Sequence, residues 1–200
     1  MDALLLVARF KAVSFDLDGT LIKNKSPERI IADFLGRRGI NIGLQSVREA
    51  LRAVTPPERG INPYDYYVKL NYHVLSRLGF EDWRLAVELV NEWFAEGNYE
   101  VYGDVSECLR LLSEKAKVIV TSNNLSDEVN RILESIEVHA FIDAVVTPDI
   151  TGTFKPDPEM FRYAAKLVKV SINELLHVGD SLEEDYEAAR RAGAEALLIV

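Results

Sequence analysis

Beyond Gly97 the chain repeats one pattern four times. A helix-periodic stretch of about a dozen residues leads into a short aliphatic run. Residues 104–115 lead into Lys117-Val118-Ile119-Val120, and residues 126–136 into Ala144-Val145-Val146. Residues 157–168 lead into Leu175-Leu176-His177-Val178, and residues 183–192 into residues 196–200. An earlier stretch, residues 11–16, built on the apolar run Ala12 to Phe15, supplies a first strand. Strands alternating with helices in this way predict an α/β fold: a Rossmann-like parallel sheet with helices on both faces.

Residues 26–97 break the alternation and read as helix throughout. Ser26-Pro27-Glu28 opens a helix with a capping residue and a proline at the first position. Ile30, Ile31, Phe34 and Leu35 form its apolar stripe, and Gly39 ends it. Further helices are expected at residues 44–53, 64–78 and 81–95, the last with Trp83, Leu89, Val90, Trp93 and Phe94 on its apolar faces. Residues 55–63, with three prolines and a glycine, are a loop. The division that follows is a core of residues 1–22 and 98–200 and a helical insertion of residues 23–97. Met1 to Arg9 is read as an extra edge segment or a long approach to the first strand.

The chain has 200 residues, 48% apolar and 28% charged, with a net charge of -9. That is the composition of a globular protein with a real core. An acidic chain without a Lys/Arg-rich stretch argues against nucleic acid as a partner. The apolar stretch near Met1 is far too short to span a membrane and lacks the marks of a signal peptide. Cys108, the one cysteine, allows no internal disulfide, which fits a reducing cytoplasm. It is expected to be packed within a helix rather than reactive.

The chemistry-bearing residues fall at the carboxyl ends of the strands, where ligands bind in open α/β sheets. Strand one ends in FDLDGTL, which sets Asp16 and Asp18 two residues apart before Gly19 and Thr20. Two carboxylates at a strand end need a cation, a proton or both. They suit chemistry in which one attacks and the other handles a proton. Residues 117–120 end in Thr121-Ser122-Asn123-Asn124. A later loop carries Lys155-Pro156-Asp157-Pro158, and Gly179-Asp180-Ser181 follows residues 175–178, with Glu184 and Asp185 just beyond.

This ordered set resembles the haloacid dehalogenase superfamily, over essentially the whole chain. FDLDGTL is similar to the family's first motif, VTSNN to its second, the lysine of FKPDP to its third and GDSLEED to its fourth. The insertion resembles the helical C1 cap, and the family sheet has the order 5-4-1-2-3. The resemblance implies a Mg²⁺-dependent phosphatase acting on a small phosphorylated metabolite, with the cap closing over the site. Asp16 would be the nucleophile and Asp18 the general acid and then base. Mg²⁺ would be held by Asp16, Asp180 and the backbone carbonyl of Asp18. Ser122, Asn123 and Lys155 would bind phosphate, with Thr20 and Asp185 in support. Thr121 competes with Ser122, and Glu184 with Asp185. The implied assembly is a monomer or homodimer.

Three other readings stand beside this one: a phosphomutase, a 2-haloacid dehalogenase, and a silent binding member of the fold. The dehalogenase motif lacks the second Asp, since halide leaves without a proton. His177, inside a strand, is expected to serve the core or a wall. Tyr64, Tyr66, Tyr67 and Tyr72 are expected to pack the inserted helices.

Overall fold

The computed structural model of the chain describes residues 9–55, 62–93, 95 and 97–199. Most of the N-terminal segment and of the proline-rich loop, together with Phe94, Glu96 and Val200, lies outside the described residues.

The chain divides into two compact units. One runs to Lys23 and resumes at Val101; the other is Asn24–Glu100. Strand β1 (Ala12–Phe15) opens the first unit, and β2 (Ile22–Asn24) carries the chain out of it. Strand β3 (Tyr99–Val101) brings the chain back and pairs with β2 in a two-stranded ribbon.

In the first unit β1 is joined by β4 (Lys117–Thr121), β5 (Ala144–Val146), β6 (Leu175–Gly179) and β7 (Glu195–Leu198). The sheet order is β5-β4-β1-β6-β7, with every neighbouring pair parallel. Counted among themselves, these strands run 3-2-1-4-5, the 5-4-1-2-3 order seen from the other edge. All four residues of β1 are buried. A strand covered on both faces reads as a continuous apolar run rather than an alternation, and Ala12-Val13 with Phe15 does so. Ser14 interrupts the run, opposite Ile119 on one side and His177 on the other. A core of Ala12, Ile119, Val146, Met160, Phe161, Leu175 and Ala188 packs against the sheet.

The second unit holds α1 (Pro27–Gly36), α2 (Leu44–Ala53), α3 (Pro63–Arg77) and α4 (Trp83–Glu92). Ile31, Phe34, Leu35, Val47, Leu75 and Leu89 form its own core. Asn62 caps α3 by accepting the Tyr64 N–H at 2.9 Å, and Asp82 caps α4 by accepting that of Arg84 at 2.8 Å. Buried Asn71 is satisfied at both ends, donating to Ala86 O and accepting from Trp93 Nε1. Of the four tyrosines, Tyr72 stacks on Trp83 with centroids 3.8 Å apart, and Tyr66 meets Tyr67 edge-on.

The first unit continues through α5 (Val105–Ser113), α6 (Ser126–Ser135), the short α7 (Pro148–Thr151), α8 (Glu159–Leu167) and α9 (Ala188–Ala192). Cys108 lies on α5 as expected but is exposed rather than packed. The helix expected over residues 183–192 opens instead as a π-helical turn, Leu182–Glu187, before α9. Such wide turns are frequent at functional sites, and this one carries Asp185. Among the described residues no helix is long and apolar enough to cross a membrane.

Candidate active site

The site grows from the end of β1. The Asp16 N–H donates to Val178 O at 2.9 Å, so the ladder holds Asp16 one residue past the strand. The chain then turns tightly around Leu17, whose carbonyl accepts from the N–H groups of Thr20, Leu21 and Ile22. Gly19 sits at φ +77°, a left-handed conformation that glycine adopts without strain. A Cβ there would lie 2.2 Å from Asp180 Oδ2. The missing side chain is what lets the end of β6 bring Asp180 against this loop. Thr20 is buried, and its hydroxyl has no hydrogen-bond partner among the described residues.

Strand β4 delivers the second group. Thr121 turns back into the sheet and bonds Ser14 Oγ at 2.7 Å, while the Ser122 hydroxyl accepts the Asn124 N–H at 3.1 Å. The Thr121 hydroxyl is therefore tied across the sheet, and that of Ser122 is not. The Asn123 side chain holds the backbone of Lys155: its Oδ1 accepts the Lys155 N–H at 2.7 Å and its Nδ2 donates to Lys155 O at 3.1 Å. Nδ2 also lies 3.2 Å from Glu184 Oε2. This side chain clamps the backbone of the lysine segment.

Asn124, which sequence reasoning passed over, donates from Nδ2 to Asp18 Oδ2 at 2.6 Å. The second Asn of VTSNN was visible in the sequence, but no pattern tied it to a residue more than a hundred positions away.

Lys155 is 2% exposed. Its Nζ lies 2.6 Å from Asp16 Oδ1 and 2.6 Å from Asp185 Oδ1. Asp185 Oδ2 accepts the Ser181 N–H at 3.0 Å, so Asp185 supports the lysine, with Glu184 turned toward Asn123. A buried ammonium persists only when paired this way. Burial acts to lower the Lys155 pKa, but Asp16 and Asp185 overcome it and hold the pKa above its ordinary value. Burial pushes Asp16 up to about 7. Lys155 pulls against that rise, and Asp185 and Asp18 add to it. Burial would also raise Asp185, yet the His177 hydrogen bond and the Lys155 charge hold it well below the usual carboxylate range. Asp180 is raised by burial and then by Asp185.

Asp16, Asp180 and Asp185 each place a carboxylate oxygen within 4.8 Å of the others. Three carboxylates against one ammonium leave an excess of negative charge that a dication would balance. All the donors are oxygen, the set that hard Mg²⁺ takes. Asp185 already has three donors on it, which leaves Asp16 and Asp180 to hold such an ion. The residues present fit the group.

A parallel sheet with acidic side chains and a buried Lys at its carboxyl edge defines a Rossmann-like α/β core. A family model for haloacid dehalogenase-like hydrolases matches residues 10–193. The chain belongs to that family of hydrolases. It is 31% identical to pyrophosphatase PpaX of Bacillus velezensis over 193 residues, 94% of this chain and 82% of that protein. The solved structure of the HAD-hydrolase YfnB from Bacillus subtilis, bound to magnesium, aligns with a TM-score of 0.77 at 18% identity, covering 96% of this chain and 89% of that one. L-2-haloacid dehalogenase from Xanthobacter autotrophicus aligns with a TM-score of 0.73 at 20% identity, covering 95% and 77%. These structures share the fold.

Proposed function

We propose that this hydrolase is a Mg²⁺-dependent phosphatase that cleaves a small phosphomonoester through an aspartyl-phosphate on Asp16. The observation that carries the reading is Asp18, held by Asn124 beside the Asp16–Lys155 pair. A dehalogenase has no use for a proton donor there, because halide leaves unprotonated. An alkoxide needs one.

In the first step a carboxylate oxygen of Asp16 attacks phosphorus and the bond to the leaving oxygen breaks. Asp18 gives that oxygen its proton. In the second step Asp18 takes a proton from water as the water attacks the phosphorus of the acyl phosphate, and Asp16 is released with inorganic phosphate. Lys155 steadies Asp16 and meets the phosphoryl oxygens, and Ser122 donates to them. Asp16, Asp180 and the carbonyl of Asp18 would hold Mg²⁺, which would supply charge neutralisation for an arriving anion. The single cysteine accords with a cytoplasmic setting.

The test is turnover by the full chain of an aryl phosphate, an alkyl phosphate, inorganic pyrophosphate and a 2-haloacid, with Mg²⁺ and with EDTA. Hydrolysis of the phosphomonoesters should require Mg²⁺, and Asp16→Asn should abolish it. Asp18→Asn should slow the alkyl ester roughly a hundred- to ten-thousandfold, and the aryl ester far less in the phosphorylation step. Full activity in EDTA, or turnover of the haloacid alone, would sink the phosphatase. Faster turnover of pyrophosphate than of either ester would move the substrate to the one named for the Bacillus velezensis relative.

A further inference from the structure

Beneath the candidate catalytic residues runs a second set of polar side chains that the hydrolytic steps do not use. Ser14 on β1, Thr121 on β4 and His177 on β6 are all fully buried. Thr121 Oγ1 lies 2.7 Å from Ser14 Oγ, Ser14 Oγ 3.2 Å from His177 Nδ1, and His177 Nε2 3.1 Å from Asp185 Oδ1. The Phe161 ring stands edge-on to the imidazole at 4.7 Å. Each member sits just before a residue of the site in sequence: Ser14 before Asp16, Thr121 before Ser122, His177 before Asp180. A buried polar group is retained at a cost unless fully bonded. Three on adjacent strands, bonded in series, form a connected tie across the sheet.

The carboxylate at one end fixes the direction of every bond. Asp185 also accepts from Lys155, so it is ionised and can only accept. Burial lowers the His177 pKa, so the ring is neutral, and to donate to Asp185 it must carry its one proton on Nε2. The neutral ring then presents an Nδ1 lone pair, which has to receive the Ser14 hydroxyl proton. Ser14 has spent its one proton, so Thr121 donates to Ser14.

We propose that His177, held as the neutral Nε2–H tautomer by Ser14 and Thr121, is a positioning residue for the reaction. It anchors Asp185 Oδ1 and thereby sets where the Lys155 ammonium sits between Asp185 and Asp16. Without that donor the Lys155 ammonium is the main side-chain partner of Asp185, and the lysine is drawn from the nucleophile. The kinetic half of this inference rests on the phosphatase reading; the tautomer does not.

Two measurements on the full chain test it. In a long-range ¹H–¹⁵N spectrum of histidine-labelled protein, the His177 signals, assigned by their loss in His177→Gln, should show a neutral Nε2–H ring. In Ser14→Ala the Nδ1 resonance should move toward that of an unbonded nitrogen. An imidazolium or an Nδ1–H ring, or an Nδ1 signal indifferent to Ser14→Ala, overturns the proposal whether or not any substrate is turned over. With the aryl phosphate, His177→Gln keeps a donor near the Nε2 position and should retain kcat within about threefold, whereas His177→Leu should lose about ten- to hundredfold in kcat, the usual cost of removing an outer hydrogen-bond partner. Equal kcat loss in the Gln and Leu variants overturns it. Failure of the wild type to hydrolyse any phosphate ester refutes the phosphatase and leaves the spectrum to decide the tautomer.

Discussion

Asp16 is where burial, charge and reactivity meet. Its pKa is pushed up to about 7, chiefly by burial, against an unfolded value of 3.8. The folded chain therefore keeps this proton over a range in which the unfolded chain has lost it. Stability contributed by Asp16 is present below about pH 4 and is lost as pH rises through about 7. His177, whose pKa is lowered by burial, opposes this in part of the same window, so a pH scan of the wild type alone mixes the two. The difference between wild type and Asp16→Asn separates them. In chelated buffer the stability of Asp16→Asn relative to wild type should rise by on the order of 2–4 kcal/mol between pH 4 and pH 8. Urea melts at the two pH values measure it, and a flat difference would mean that Asp16 is ionised throughout. The sequence made Asp16, Asp18, Lys155 and Asp180 legible because strand ends gather ligands and the motifs come in order. It did not make Asn124 or the Ser14–His177 tie legible. Those depend on register between strands far apart in the chain, and a lone Ser or His in an apolar run reads only as core.

The elements that carry the site are shaped by two glycines with different constraints. Gly19 has φ +77°, and its Cβ would strike the Asp180 carboxylate, the reach of an exposed residue. Gly179 ends β6 outside the positive-φ region, but a Cβ there would lie 2.3 Å from Asp185 Cγ, inside the buried cluster. Gly19→Ala should cost about 1–2 kcal/mol for the left-handed backbone, with Asp180 swinging outward and the apparent Mg²⁺ affinity falling. Gly179→Ala must unseat Asp185 and should cost about 1–3 kcal/mol by overpacking alone. It should also weaken turnover at saturating Mg²⁺. Thermal melts paired with a Mg²⁺ titration distinguish them; loss of Mg²⁺ affinity in neither variant would contradict the placement of Asp180. The periodic pattern located every strand of the core sheet within a few residues, because aliphatic runs between helices have one reading. It missed the π-helical turn at Leu182–Glu187, since Leu-Glu-Glu-Asp-Tyr-Glu is compatible with an α-helix. Only the pull of Asp185 toward Lys155, His177 and Ser181 selects the wider turn.

At the scale of the whole molecule, charge works against the proposed substrate. The chain carries a net -9, and a phosphomonoester is a dianion near neutral pH. Among the described residues the buried cation of the site, Lys155, lies between two carboxylates at 2.6 Å from each, so it projects little positive field into solvent. Binding at contact is favourable only after the substrate has crossed a repulsive far field. Salt shortens the reach of that field from about 30 Å at 0.01 M to about 8 Å at 0.15 M. Contacts with buried groups of the site are screened much less. Raising ionic strength with an inert salt at fixed free Mg²⁺ should therefore increase kcat/KM for a dianionic ester, by about tenfold or less, and leave kcat nearly constant. A basic substrate-binding surface would give the opposite slope. A fall in kcat/KM with salt would show that a local positive patch, not the net charge, governs the approach of substrate.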